Sequence, residues 1–164
     1  MKQGNKSKNL LYALIIVSLL GFLDSLYLFY SEITGNINCL INEGIFQCET
    51  VNTSSYATFL GVHVSLWGII FYVLLILFLF LTLYAEWVYW LGFLLPVASL
   101  FGLIFSIYLT AIEIFVIKAL CEFCIFSALC SITIFVLVLL TKKKEYGSLT
   151  IHLDFWNAFR SEKK

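Results

Sequence analysis

Between Lys8 and Lys118 the chain carries no lysine or arginine. That absence removes the basic patch a nucleic-acid-binding protein needs, and the formal net charge of zero only reflects basic ends balanced by acids elsewhere. Charge of either sign is scarce, at 12% of 164 residues, and proline occurs once. In their place the chain is 62% hydrophobic and 18% aromatic, with a mean hydropathy of +0.98. A water-soluble domain of this composition would expose large apolar patches. Lipid must therefore be the solvent for most of the chain.

A bilayer core about 30 Å thick needs roughly 20 apolar residues per helical span. Four such stretches are present, near Asn9–Tyr30, Phe59–Tyr84, Trp87–Ile112 and Ala119–Thr141. The expected fold class is an all-α membrane protein, a four-transmembrane-helix bundle occupying residues 1–141, with 142–164 as a basic tail. The first stretch is too long for the apolar core of a cleavable signal peptide and reads as a retained span. Lys2, Lys6 and Lys8 precede the first span, and Lys142, Lys143, Lys144, Arg160, Lys163 and Lys164 follow the last. The positive-inside rule then predicts that both ends are cytoplasmic. An even number of crossings agrees with that.

By the same rule the segment from Ser31 to Thr58, with Glu32, Glu43 and Glu49 but no basic residue, faces outward, as does the connection around Lys118. This first connection is long, and long loops in compact folds are usually functional. Its second half offers Val51, Ser54, Ser55, Tyr56 and Phe59 at spacings that predict a short interfacial half-helix. Ala98, Gly102 and Ser106 recur every four residues and mark a close helix contact, with Pro96 a candidate kink in the same span. Ile151–Arg160 could rest on the inner leaflet.

Of the five cysteines, two pairs fall on the outward side. Cys121-Glu-Phe-Cys124 is a C-x-x-C at a helix start, so its sulfurs are neighbours in the i, i+3 relation and can close a disulfide. A helix N-terminus stabilises the thiolate of the first cysteine. Glu122 opposes that effect and Lys118 could offset it. Cys39 and Cys48 flank a loop in which Gly44 permits a turn, so a disulfide between them is geometrically easy. Alone that pair would read as a structural staple. With a second pair on the same oxidising face, it becomes one half of a two-step thiol–disulfide exchange. The bland alternatives are a zinc site, which would need four permanent thiolates, or inert buried thiols. No metal is expected, and Cys130 reads as a small buried apolar side chain.

These residues resemble the vitamin K epoxide reductase family, particularly its bacterial disulfide-forming branch. The landmarks, within residues 21–140, are the loop pair Cys39 and Cys48, the run Val51-Asn-Thr-Ser-Ser-Tyr-Ala-Thr, then Val64-Ser-Leu-Trp-Gly, Tyr108-Leu-Thr-Ala-Ile-Glu, and the Cys121–Cys124 motif. The other four-helix quinone reductases of bacterial disulfide formation carry their C-x-x-C before the loop pair. Here the order is reversed. The resemblance implies a helical bundle around a quinone of menaquinone, ubiquinone or vitamin K type, with Cys124 reacting with the quinone and Cys121 exchanging with the loop. It places Ser54 near the quinone head group and Trp67, Phe71 and Tyr72 in the pocket wall, although turn chemistry for Ser54 and packing for the aromatics are equally natural. Val64 and Ala128 stand where vertebrate members have an asparagine and a tyrosine that bind vitamin K, which argues against epoxide reduction.

The implied function is a multi-pass membrane thiol–disulfide oxidoreductase. It would reoxidise a separate thioredoxin-fold protein on the outer face and pass electrons to a quinone, supporting disulfide bond formation. A vitamin K epoxide reductase and a non-enzymatic four-helix scaffold with a structural loop disulfide are the alternatives. His63 reads as a proton shuttle or as a paired interfacial histidine, Glu113 as an interfacial anchor, and Asp24, an acid inside a span, as a functional group or a carboxyl bonded to a neighbouring helix.

Overall fold

The computed structural model describes residues 3–35, 37, 39, 44–84 and 88–146. The elements are α1 (Gln3–Thr34), α2 (Cys48–Asn52), a 3₁₀ turn (Ser55–Ala57), a hairpin of β1 (Thr58–Phe59) and β2 (Val62–His63), α3 (Val64–Tyr84), α4 (Val88–Ile112), a π-helical turn (Glu113–Ile117) and α5 (Glu122–Tyr146). Four helices are long and apolar enough to cross a membrane: Asn9–Thr34, Val64–Leu81, Phe93–Ile117 and Glu122–Thr141. The protein is a multi-pass, four-helix membrane protein. The segment Ile151–Arg160 and the rest of the basic tail after Tyr146 lie outside the described residues.

These spans are apolar around their whole circumference, as lipid-embedded helices must be. Leu23, Phe101, Ile104 and Leu129 all stay exposed on the outside of the bundle, where lipid tails replace water as their neighbours. Inside, α1 packs on both α3 and α5, and α5 also packs on α4. Leu14, Tyr72, Leu75, Leu79, Ile134 and Val138 form the main core, while Leu28, Cys48, Val51, Ala119 and Cys121 form a second cluster at one end. Because lipid is as apolar as leucine, close backbone approach rather than hydrophobic expulsion holds such helices together. A Cβ at Gly21 would fall 2.3 Å from the Tyr72 ring, and one at Gly102 would fall 2.4 Å from the Phe71 ring. The small-residue stripe of α4 therefore does receive a neighbouring helix, at Gly102.

The structure moves several edges. The second span starts at Val64 rather than Phe59, because Leu60 and Gly61 both take left-handed conformations (φ 56° and 79°) and close a two-residue hairpin of the kind that matches strand twist. The apolar run Phe59-Leu-Gly-Val hides that turn from hydropathy. The first span continues one turn past Tyr30 to Thr34, and the third runs on through the π-helical turn to Ile117. The expected half-helix exists in two pieces, α2 and the 3₁₀ turn, interrupted at Thr53 and Ser54. Pro96 lies inside α4, and the Ser99 hydroxyl donates to the carbonyl of Pro96 at 2.9 Å.

Asp24 is buried between helices, 8% exposed, and its Oδ2 has no hydrogen-bond partner. An unmet buried carboxyl oxygen costs stability. Asp24→Leu is expected to raise the unfolding free energy in detergent by about 1–3 kcal/mol, read as a higher thermal midpoint. Gly21→Val should do the opposite, destabilising by about 1–3 kcal/mol through overpacking against Tyr72, and Gly21→Val combined with Tyr72→Leu should recover part of that loss in the same melt.

Candidate active site

The residues just before Cys48 and just before Cys121 are tied together by backbone. Leu120 donates its N–H to the carbonyl of Ile45 at 2.8 Å, and Gln47 donates to the carbonyl of Leu120 at 3.0 Å, so that Phe46 and Leu120 form a single parallel bridge. Each cysteine follows that bridge within two residues and then opens a helix. Cys48 is the first residue of α2. Cys121 stands immediately before α5, and its carbonyl accepts the first turn's bond from Ile125 at 3.0 Å.

Burial follows from this strap. Cys48 and Cys121 are 0% and 1% exposed, and Cys39 and Cys124 pack against the same cluster. All five cysteines are free thiols. Cys39, Cys48, Cys121 and Cys124 thereby gather in one cluster at the same end of the bundle, in which Cys48 interacts electrostatically with Cys39 and Cys121, and Cys121 with Cys124. Cys130 lies two turns further along α5, buried beside Asp24 and outside this cluster.

Opposed electrostatics act on the two central thiols. Burial first, then the hydrogen bond with Cys39 and the proximity of Cys121, push the Cys48 thiol well above its ordinary range. The Cys124 thiol, donating to Cys121, pulls Cys121 down, and burial resists that pull. Glu122, expected to disfavour the Cys121 thiolate, instead reaches Cys48, whose Sγ lies 4.0 Å from its Oε1. Lys118 is exposed in a left-handed conformation (φ 57°), and its N–H caps the π-helical turn at the Glu113 carbonyl.

Glu113 is the residue that sequence reasoning misplaced. Read there as an interfacial anchor, it is 3% exposed and accepts the Cys121 N–H on Oε2 at 3.1 Å. The signal was weak, an acid eight residues before a C-x-x-C, at the point where α4 gives way to the π-helical turn.

The residues expected around a quinone separate into two groups. Ser54 donates its hydroxyl to the Val51 carbonyl at 2.7 Å and lines a cleft of about 390 Å³ with Glu32, Glu49, Asn52 and His63. In that cleft the His63 Nε2 pairs with Glu32 at 2.8 Å, and Ser65 donates to the same carboxyl at 3.1 Å. His63 is thereby a paired histidine. Trp67, 36% exposed, donates its indole N–H to the Phe59 carbonyl at 3.2 Å and meets the Phe59 ring edge-on. Phe71 fills the space over Gly102. Tyr72 turns into the bundle, where its hydroxyl lies 3.2 Å from the Ser127 hydroxyl, one turn along α5 from Cys124. Among the described residues no group of three or more metal-ligating side chains converges.

Four membrane helices carrying a helix-anchored dithiol, with a loop dithiol strapped beside it, define a class of membrane thiol protein. The vitamin K epoxide reductase family model matches residues 12–139, and the chain belongs to that family. It is a membrane oxidoreductase of a family whose members are quinone-associated in general, which sets aside the non-enzymatic scaffold. No match to an individual curated protein was found.

The opposed thiols predict a pH signature. Cys48, with its folded value raised, contributes stability that is present below the unfolded thiol value near 9 and is lost as the pH rises beyond it. Cys121, with its folded value lowered, gives the opposite slope below that pH. The fully reduced protein should therefore lose thermal stability between pH 9 and 10, and in Cys48→Ser the loss should be smaller in the same detergent melts.

Proposed function

We propose that this chain carries electrons from a separate thioredoxin-fold protein through Cys39–Cys48 and then Cys121–Cys124 to a membrane quinone, so that disulfide bonds are made in proteins on the outer face. The observation that carries this reading is the backbone strap that sets buried Cys48 beside buried Cys121, since exchange requires sulfurs in reach of one another. Positive charge at both ends supports cytoplasmic termini, with the cysteines on the opposite, oxidising side.

The division of labour follows from exposure. Cys39, partly exposed, meets the partner, while Cys48 faces inward. A reduced partner opens the Cys39–Cys48 disulfide through a mixed disulfide on Cys39 and leaves as its own disulfide, having reduced the loop pair. The Cys48 thiolate then attacks Cys121, the Cys121–Cys124 bond breaks, and its electron pair goes to Cys124. Cys39 resolves the Cys48–Cys121 bond, regenerating the loop disulfide and leaving both α5 cysteines reduced. Each exchange keeps sulfur oxidation in balance.

A quinone needs apolar walls with a few polar groups for its carbonyl oxygens. The residues beside Cys124 fit that requirement: the Tyr72 and Ser127 hydroxyls lie one turn away, and the Asp24 Oδ2 in the same bundle has unused hydrogen-bonding capacity. When bound, the quinone supplies the sink for two electrons and two protons. Tyr72, Ser127 and Asp24 would hold it, with Phe71 next to Tyr72 at a ring distance of 5.3 Å. Ser54 and Trp67 would act at the rim.

Cys124→Ala is expected to abolish quinol formation when the purified protein is mixed anaerobically with a reduced thioredoxin-fold protein and a quinone. The same variant should leave a mixed disulfide that can be trapped between the loop and the partner. An active Cys124→Ala enzyme would refute the assignment.

A further inference from the structure

Asp24 is an acid inside an apolar bundle, 8% exposed, with no hydrogen-bond partner for its Oδ2. Two contacts fix its depth. On the side toward the cysteines, Tyr27 of α1 meets Phe123 of α5 at a ring distance of 4.8 Å. On the other side Gly21 lies so close to Tyr72 that a Cβ there would fall 2.7 Å from the tyrosine hydroxyl, and that hydroxyl lies 3.2 Å from the hydroxyl of Ser127. Asp24 is three residues from both Gly21 and Tyr27, within one turn of each contact. At that depth α5 presents residues 124–127, the turn that begins with Cys124.

Among the described residues no cationic side chain pairs with Asp24. The titratable groups that interact with it electrostatically are Tyr72 from α3 and Cys130 from α5, and neither supplies a positive charge. An isolated carboxylate in such surroundings is costly, so the resting group is the neutral acid, which has one O–H to donate. Its neighbours leave that donor unused: the Tyr72 and Ser127 hydroxyls satisfy each other, and the Ser18 hydroxyl donates to the Leu14 carbonyl at 2.7 Å. Of the groups at this depth, a carboxylic acid parts with its proton far more readily than a phenol or an alcohol. Stability withheld at one polar position is a usual cost of a functional site.

Resting on the quinone reading above, we infer that Asp24 is the acid that protonates a quinone oxygen, with the Tyr72–Ser127 hydroxyl pair holding the ring beside it. As the α5 pair is oxidised, two S–H bonds break and the Cys121–Cys124 bond forms. Its two electrons reduce the quinone, on which two O–H bonds form. One of those protons is the Asp24 carboxyl proton, and the other comes from the α5 thiols. The second thiol proton returns to Asp24, so the carboxyl ends the cycle neutral, as it began. No net charge is left inside the apolar bundle.

The test uses the full-length protein in detergent and the variant Asp24→Asn, whose amide still donates a hydrogen bond but cannot give up a proton. The probe is menaquinone or ubiquinone carrying a single isoprene unit, whichever the wild type reduces faster. Adding the oxidised probe to the oxidised wild type should shift a protonated-carboxyl infrared band, and Asp24→Asn should lack that shift. The probe should still raise the thermal midpoint of Asp24→Asn, with an apparent affinity within about threefold of wild type, while quinol formation by the chemically reduced variant slows by about 100-fold. A band shift that survives in Asp24→Asn, or quinol formation at the wild-type rate, overturns the proposal. A slow variant that has also lost the thermal effect of the probe overturns proton donation in favour of holding alone. Should Asp24→Asn fail to fold, Asp24→Leu, expected to melt above the wild type, carries the test, and wild-type quinol formation by it overturns the proposal. A wild type that reduces neither quinone overturns the acceptor reading, and this proposal with it.

Discussion

Two backbone hydrogen bonds, from Leu120 to Ile45 and from Gln47 to Leu120, hold the loop against the start of α5. The placing of buried Cys48 beside buried Cys121 depends on them. The loop is connected to the bundle by α1 on one side and by the hairpin on the other, and a connection of that length has many conformations open to it. Pairing the segment that precedes Cys48 with the segment that precedes Cys121 removes that freedom where it matters. It leaves Cys39, nine residues before Cys48 in the sequence, at the more accessible edge.

The strap works because the helices beneath it offer a fixed end. In lipid each backbone group of a span is satisfied inside its own helix, so the unsatisfied groups collect at helix ends. Those of the α4–α5 connection are absorbed by a π-helical turn, by Lys118 in a left-handed conformation, and by Leu120 pairing with the loop. Glu113, the first residue of that turn, is buried and accepts the Cys121 N–H. A second tie, Glu32 with His63 and Ser65, fastens the end of α1 to the start of α3 on the same side. The cysteine cluster thus stands between two polar fastenings at one end of an otherwise apolar bundle.

Much of this was legible in the residues. The four spans follow from apolar length against bilayer thickness, and the two cysteine pairs follow from spacing and from their place outside the charged ends. The edges were less legible, since Phe59-Leu-Gly-Val has the hydropathy of a span and the conformation of a hairpin. Ser54 and Trp67 carried a resemblance that named residues but not directions. Ser54 spends its hydroxyl on the Val51 carbonyl, and Trp67 its indole N–H on Phe59. The burial of Glu113 against the Cys121 N–H was hidden for a comparable reason: which way a helical side chain points is not reported by a residue count.

The sequence by itself determined that this is a membrane protein, how many times it crosses, and which sulfurs are grouped by spacing. Those properties depend on composition and on separations along the chain. Only the tertiary structure decided that the segment before Cys48 is strapped to the segment before Cys121, that Tyr72 turns inward to Ser127 one turn from Cys124, and that Glu113 is buried against the Cys121 N–H. These relations join residues distant in sequence. They arise from backbone pairing and helix winding, which hydropathy and spacing do not encode.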